Sequence, residues 1–246
     1  MSKEVFDFKV DDREGKETLD AISKADLFNE WMFKAILPYC KGQILEIGSG
    51  IGNISGQFLQ GGHQITLSDI REPYCETLRE KFGQYQNLEA VHLLDLIHPD
   101  FDEAYKSLTG KFDTVFALNV VEHIFDDALA IRNARKLLKE GGNLIILVPA
   151  YQFLFNGFDR GLEHYRRYTL GSLKKLISSS GFKIERSWYF NFTGIFAWFI
   201  SGKLMGNNVI PGGQMGLYNK FVPVFKLIDK LVFQKAGLSA IVVGKK

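Results

Sequence analysis

The chain has 246 residues, of which 46% are hydrophobic and only 6 are prolines, and this composition excludes an intrinsically disordered or fibrous protein. A formal net charge of +2 lacks the strong basic excess that is typical of nucleic-acid-binding proteins. The length fits one α/β domain with additions better than two ordinary domains. The charge is uneven, because residues 1–30 carry nine acids against five bases, whereas residues 201–246 carry seven lysines against one acid, Asp229.

The N-terminus lacks the pattern of a signal peptide, because Asp7, Asp11 and Asp12 come early and no apolar run follows a basic start. We therefore expect a cytoplasmic protein. The two cysteines, Cys40 and Cys75, do not have C-x-x-C spacing, so we predict free thiols and no metal centre.

Residues 1–40 precede the first predicted strand, and we interpret them as a helical cap. Apolar residues recur at helical spacing from Glu17 to Tyr39, which predicts one or two helices that end at Pro38. Phe28 and Trp31 are expected to pack against the sheet, with closure over a ligand as the less favoured alternative.

A glycine-rich turn follows the first predicted strand. Residues 44–47 read as a buried strand, and three glycines at alternating positions then open a helix: Gly48, Gly50 and Gly52. Because glycine has no Cβ atom, the backbone can turn tightly and a ligand can lie directly against it, while the free N–H groups of the helix face that ligand. The turn therefore predicts a nucleotide pocket.

The glycine spacing distinguishes between classes of nucleotide. The dinucleotide fingerprint G-x-G-x-x-G requires a glycine where this chain has Asn53, and the mismatch disfavours a nicotinamide-dependent oxidoreductase. The pattern instead runs E-x-G-x-G-x-G from Glu46 to Gly52. It resembles the first motif of class I S-adenosylmethionine (SAM) dependent methyltransferases, in which the turn holds the methionine part of the ligand.

The second predicted strand, residues 65–69, ends in Asp69, nineteen positions after Gly50. In a doubly wound sheet an acid at this strand tip can accept hydrogen bonds from both ribose hydroxyls of a nucleotide. A helix cap is the ordinary role of a strand-end aspartate. The glycine turn upstream makes the ribose contact the favoured prediction.

The resemblance extends over the next three strands. A strand at residues 88–94 leads into Asp95, and an acid after this strand commonly receives the adenine amino group in the family; a solvated turn is the alternative role for Asp95. The strand Phe112–Asn119 begins with Phe-Asp, and the segment after it contains His123. In the family such a segment lies beside the sulfonium. The fifth strand is predicted at residues 144–148.

The resemblance implies that SAM contacts residues at the ends of these strands: Glu46, Gly48, Ser49, Gly50, Gly52, Asp69, Ile70, Asp95, Leu96 and Asn119. It implies a Rossmann-like α/β fold whose seven-stranded mixed sheet has the order 3-2-1-4-5-7-6, with an antiparallel last strand and helices on both faces. We predict strand six at residues 182–186, after a helix capped by Thr169, and strand seven at residues 240–243. The corresponding parts are a cap at 1–40, a SAM-binding core at 41–186, a helical, aromatic-rich lid insertion at 187–237 and the final strand at 238–246.

The acceptor pocket should form from residues 150–168 and from the lid, because ligands of open α/β sheets lie beyond the carboxyl ends of the strands. A hydroxyl or amine acceptor needs a general base, for which histidine has a suitable pKa. The catalytic candidates are therefore His123, His164 and its neighbour Tyr165. Two structural alternatives stay open: His123 only shaping the cofactor loop, and a charged network in the segment from His164 to Tyr168.

The predicted lid begins with an aromatic, almost uncharged stretch, since Lys203 is the only charged residue from Ser187 to Asn219. Its apolar run is interrupted and shorter than the ~20 residues that span a bilayer. Apolar residues from Phe221 to Val232 then recur at helical spacing among lysines. We expect this basic amphipathic helix to face the core with solvated lysines; a lid over an apolar pocket and a peripheral membrane contact are the alternatives.

The leading interpretation is a SAM-dependent methyltransferase that acts on a small-molecule or lipid-linked acceptor with a large apolar or aromatic part. The aromatic lid is the argument for the apolar part. The alternative is a SAM-binding sensor or scaffold without transferase activity, in which the C-terminal amphipathic region contacts a partner or a membrane. Aminopropyl transfer uses the same fold but calls for acids around a polyamine, of which the lid has few. We expect no nucleic-acid partner.

Overall fold

The computed structural model describes residues 13–205 and 212–246. The first twelve residues of the predicted cap and residues 206–211 of the predicted lid lie outside the described residues. One mixed sheet is built from seven strands: β1 (Ile44–Ile47), β2 (Ile65–Asp69), β3 (Leu88–Leu93), β4 (Phe112–Leu118), β5 (Leu138–Pro149), β6 (Lys183–Phe190) and β7 (Ser239–Lys245).

Helices lie on both faces of this sheet. Those in the core half of the chain are α1 (Arg13–Ser23), α2 (Asp26–Ile36), α3 (Ser55–Gln60), α4 (Glu72–Phe82), α5 (Phe101–Ala104) and α6 (Asp127–Leu137). The remainder are α7 (Gly157–Gly161), α8 (Leu170–Ser179), α9 (Phe192–Trp198), which continues as a π-helical turn Phe199–Leu204, and α10 (Gly212–Leu231). Single 3-10 turns lie at Leu37–Tyr39, Lys106–Leu108, Val121–His123 and Gln152–Leu154.

The strand order is β3-β2-β1-β4-β5-β7-β6, as predicted. The strands β1 to β5 pair in parallel, and β7 lies antiparallel between β5 and β6. All four residues of β1 and all five of β2 are buried, as expected for central strands of a sheet that is covered on both faces. The carboxyl ends of β1, β2, β3, β4 and β5 therefore meet along one edge.

Alternate residues of the central strands pack into two hydrophobic cores, one on each face of the sheet. On one face Val115, Leu144 and Ile146 pack with α6 and α8. On the other face Phe116 stacks on Phe58 of α3, with ring centroids 5.1 Å apart. Burying large side chains on both faces stabilises each by roughly 1.5–3 kcal/mol, which fixes the register of the strands.

Three strands extend beyond their predicted limits: β5, β6 and β7, the last by one residue at its start and two at its end. The strand β5 begins at Leu138, six residues earlier than predicted, because the Gly141-Gly142 pair forms an irregularity within the strand instead of a connecting loop. The strand β6 continues to Phe190, because it keeps pairing with β7 as far as Phe190 and Ser239. The lid insertion therefore begins at Asn191, four residues later than predicted.

The helix α10 starts earlier than its predicted apolar pattern and buries a different face. Val222 and Asp229 are buried on the side that packs against α2 and α9, whereas Phe221, Val224 and Leu231 are exposed. The buried carboxylate of Asp229 accepts the backbone N–H groups of Asn191 and Phe192, each at 2.7 Å, and so joins α10 to the start of α9. Within the described residues, no helix has the length and apolar character needed to cross a bilayer.

Candidate active site

The glycine turn after β1 has the tight conformation that the sequence predicts. Gly48, Gly50 and Gly52 have φ values of 70°, 53° and 80°. A Cβ atom on Gly48 would lie 2.4 Å from Cγ2 of Val120, and one on Gly52 would lie 2.3 Å from Cε2 of Phe82. Glycine is required at both positions, since other residues rarely adopt this backbone and would also clash.

A single large cavity of about 1290 Å³ opens along the carboxyl edge of the sheet. Nine of the ten residues predicted to contact the cofactor line it: Glu46, Gly48, Ser49, Gly50, Asp69, Ile70, Asp95, Leu96 and Asn119. The tenth, Gly52, does not line this cavity and instead packs towards Phe82. Leu19, Phe28 and Met32 of the N-terminal helices also line the cavity, whereas Trp31 packs on Phe190, with ring centroids 4.4 Å apart.

Asp69 joins the tip of β2 to the glycine turn. Its Oδ2 atom accepts the backbone N–H of Gly50 at 2.9 Å, and its Oδ1 atom accepts the N–H of Arg71 at 3.0 Å. Burial raises the pKa of the carboxyl group, and the backbone hydrogen bonds oppose that rise. Each carboxylate oxygen has two acceptor sites, so Asp69 can make these bonds and still accept from a ligand.

Glu46 is the buried acid at the centre of β1, and it is only 4% exposed. The hydroxyl of Ser55 at the start of α3 hydrogen-bonds its Oε2 atom. Burial raises the pKa of Glu46 to about 8 despite this bond. At neutral pH the carboxyl group of Glu46, next to the glycine turn, is therefore largely protonated.

Asp95 lies at the end of β3 in a short turn. Its Oδ1 atom accepts the N–H of Ile97 at 2.9 Å, while its own N–H donates to Oη of Tyr105 at 2.9 Å. The turn and ligand roles are thus compatible, because Asp95 both shapes the turn and lines the cavity. The neighbouring Leu96 is buried, and its carbonyl accepts from Asn133 of α6.

Two of the three catalytic candidates, His123 and His164, meet in the same cavity. Their ring centroids are 4.6 Å apart, and Tyr165 lines the same region. The backbone N–H of Tyr165 donates to the carbonyl of Glu122 at 2.9 Å, which joins the loop after β4 to the segment after α7. Burial lowers the pKa of both histidines, so both imidazoles are neutral at neutral pH.

A buried charged network holds His164. The Nδ1 atom of His164 lies 2.9 Å from Oδ1 of Asp159, and the same oxygen accepts Nε–H of Arg167 at 2.7 Å. Asp159 is fully buried, and its capping box with Asn156 fixes α7. The charged network that was the structural alternative for this segment is therefore present. It orients His164, and His164 also lines the cavity, so the two interpretations are compatible.

Glu122 was not among the residues predicted from the sequence; it is fully buried and lines the cavity close to both histidines. Burial raises the pKa of Glu122 to about 8. An acid next to His123 in an otherwise apolar segment was a possible signal, but only the fold brings it against residues 159–167.

The fold and this cavity define the class of protein: a Rossmann-like α/β domain with a nucleoside-binding site at the carboxyl edge of its sheet. Residues 45–144 match the family model described as a methyltransferase domain. A SAM-dependent methyltransferase from Archaeoglobus fulgidus has the same fold, with a TM-score of 0.57 at 18% identity over 89% of this chain and 94% of that one. Residues 45–144 thus match a methyltransferase domain, and the fold is that of the class I, Rossmann-like SAM-dependent methyltransferases, a class whose cofactor is SAM.

Curated relatives share only part of the chain. A highly reducing polyketide synthase of Gibberella fujikuroi is 31% identical over 113 residues, which are 42% of this chain and 4% of that protein. A ubiquinone biosynthesis O-methyltransferase of Xanthomonas oryzae pv. oryzae is 25% identical over 146 residues, which are 54% of this chain and 59% of that protein. The matched region covers less than two thirds of either relative.

Proposed function

We propose that this protein transfers a methyl group from SAM to a small-molecule or lipid-linked acceptor with a large apolar or aromatic part. The observation that carries the proposal is one cavity of about 1290 Å³ that is lined both by the glycine turn and by apolar residues of α7, α9 and α10. A pocket for one drug-sized ligand measures ~300–1,000 Å³. The cavity is thus large enough for a cofactor and an acceptor side by side.

In this proposal the cofactor takes the glycine-turn end. Asp69 accepts the ribose hydroxyls, Asp95 receives the adenine amino group, and Ile70 and Leu96 supply apolar surface for the base. The N–H groups of the glycine turn and the side chain of Asn119 hold the amino-acid part of SAM. When bound, SAM supplies a methyl group on an electron-poor sulfur.

The acceptor takes the end formed by α7, α9 and α10. Phe158 and Trp198 pack together there, with ring centroids 4.8 Å apart, and Tyr218 and Phe225 contact each other across 4.7 Å. All four line the cavity, and Met215 adds further apolar surface. An acceptor with an aromatic ring or a hydrocarbon chain gains free energy by burial against such walls, at about 25 cal/mol per Å².

His123 and His164 lie where a proton can be taken from the acceptor. Both are neutral at neutral pH because burial lowers the pKa of each ring. A neutral imidazole can accept a proton from a hydroxyl or a protonated amine within hydrogen-bonding reach. Tyr165 borders the same space and can orient the acceptor through its hydroxyl.

A membrane is the source that we propose for a lipid-linked acceptor. Along α10 an apolar row faces solvent at helical spacing: Leu217, Phe221, Val224, Leu227 and Leu231, each at least 50% exposed. The row has lysines around it, and the one acid of α10, Asp229, is buried. Lys226 lies 3.9 Å from Glu30 of α2, and Leu217 and Phe221 also line the cavity. Exposed apolar side chains among lysines fit an anionic lipid surface.

A transfer assay with matched acceptors tests the proposal. The purified protein is incubated with SAM and pairs of phenols or catechols that differ only in an isoprenoid tail, and the products are identified by mass spectrometry. We expect a lower KM for the tailed member of each pair. The variant Trp198→Ala should raise that KM, whereas Phe153→Ala, at an exposed side chain outside the cavity, should not. SAM binding without transfer to any acceptor would favour the sensor or scaffold alternative.

A further inference from the structure

Three side chains at the acceptor end of the cavity have the composition of a metal site. Glu122, His123 and His164 each present one ligand atom, and these three atoms all lie within 4.8 Å of one another. Two imidazole nitrogens and one carboxylate oxygen are the protein ligands of catalytic zinc sites and of non-haem iron sites.

The carboxylate of Glu122 points to a bound cation independently of that spacing. Glu122 is fully buried, and neither of its oxygens accepts a hydrogen bond from another of the described residues. Buried polar groups are almost always paired, because an unpaired one costs roughly 1–3 kcal/mol. Arg167, whose charge acts on Glu122, donates hydrogen bonds to the carboxylate of Asp159 and to the carbonyl of Ala150.

Both histidines have the outer contacts that metal-binding histidines usually have. Nδ1 of His164 lies against the carboxylate of Asp159, which itself is held by Arg167. A ring N–H of His123 donates to the backbone carbonyl of Leu162. Such contacts fix which ring nitrogen carries the proton, and each ring presents one nitrogen to the cluster.

We propose that Glu122, His123 and His164 bind one divalent transition-metal ion, with Zn²⁺ as the reference ion. The nitrogen-rich ligand set disfavours Mg²⁺ and Ca²⁺, which prefer all-oxygen sites. No metal centre was expected from the sequence, in which the two cysteines lack C-x-x-C spacing. The third ligand of this cluster lies 41 positions after the second, and only the fold brings them together.

A metal ion at this site could assist the methyl transfer, and this part of the inference rests on the proposed function. Bound by three protein ligands, a divalent cation would keep a coordination position for an acceptor hydroxyl. It would lower the pKa of that hydroxyl, whose proton would pass to solvent while the oxygen kept the electron pair that attacks the methyl group of SAM and releases the demethylated cofactor. The two histidines then act as ligands, and neither has to be the general base.

Metal analysis of the full chain tests the site without reference to activity. The protein, with any affinity tag removed, is treated with EDTA, incubated with Zn²⁺ and desalted, and its zinc content is measured by mass spectrometry. We expect about one Zn²⁺ per chain, and visible absorption bands of a low-symmetry site when Co²⁺ replaces it. Glu122→Gln and His164→Ala should each lose most of the metal. His98→Ala, at a histidine outside the cavity, should keep it.

Two further measurements make the outcome decisive. Near-ultraviolet circular dichroism and calorimetric titration with SAM show whether Glu122→Gln is folded and has an intact cofactor site. A folded Glu122→Gln protein that binds as much Zn²⁺ as the wild type would overturn the site, as would a wild type that binds none. Methyl transfer at an undiminished rate after EDTA treatment would overturn the catalytic use of the metal. Stoichiometric Zn²⁺ without transfer to any acceptor would support the metal site and count against the proposed function.

Discussion

The substitution Asp69→Asn probes the proposed ribose contact with the smallest change in shape. Both oxygens of Asp69 accept a backbone N–H, from Gly50 at 2.9 Å and from Arg71 at 3.0 Å. Asparagine has one acceptor oxygen and one donor nitrogen, so its NH₂ group must face one of those N–H donors. The variant loses one bond within the site and the negative charge available to the ribose.

The expected effect on binding is the loss of one charge-assisted hydrogen bond to the ligand. Such bonds contribute ~1.5–3 kcal/mol, so the Kd for SAM should rise by about 10–150-fold at 25 °C. Isothermal titration calorimetry with SAM and with its demethylated product measures this directly. Both ligands should weaken to a similar degree, because they share the ribose.

The matched control is Asp113→Asn. Asp113 also accepts a backbone N–H, from Gln43 at 2.9 Å, but it lies at the amino end of β4 and does not line the cavity. We expect its Kd for SAM to stay within about twofold of the wild type, well inside the range of one hydrogen bond. An unchanged Kd for a folded Asp69→Asn protein would refute the ribose assignment. Equal weakening in both variants would show that the effect is a general loss of stability.

Three other changes test separate parts of the structure. Because burial raises the pKa of Glu46 to about 8, folding is coupled to the binding of a proton between about pH 4.5 and 8, and stability falls as the pH rises through this window. The variant Glu46→Gln should flatten this fall in Tm measurements from pH 5 to 9. An unchanged slope of Tm against pH would show that Glu46 is not the group responsible. Gly48→Ala should lower the free energy of unfolding by about 1–3 kcal/mol more than Gly62→Ala, since both have a positive φ but only Gly48 has a neighbour in the way; equal losses in urea melts would exclude the clash. Phe221→Glu should abolish sedimentation with phosphatidylglycerol vesicles, whereas Phe153→Glu should not. A wild-type protein that does not bind these vesicles would refute the membrane proposal.

The sequence predicted the parts of the fold that depend on local pattern. Glycines with positive φ, strand-end acids and apolar runs are set by residues close together in the chain, and they located the turn after β1 and the position of Asp69. The sheet order, which the structure confirms, was implied by the resemblance to class I methyltransferases. The limits of β6 were missed for a non-local reason, because Trp188 and Phe190 have the composition of a lid but pair with β7, about fifty positions later.

The acceptor end shows the same division between local and non-local information. Residues 121–123 and 159–167 each carry a recognisable set of charged and aromatic side chains, and the sequence by itself identified His123, His164 and Tyr165 as candidates. Only the tertiary structure buries Glu122 close to the two histidines and places Asp159 where it orients one of them. The physical reason is that burial and ligand geometry depend on which distant segments cover a residue. The periodicity of apolar residues along one segment does not specify those distant segments.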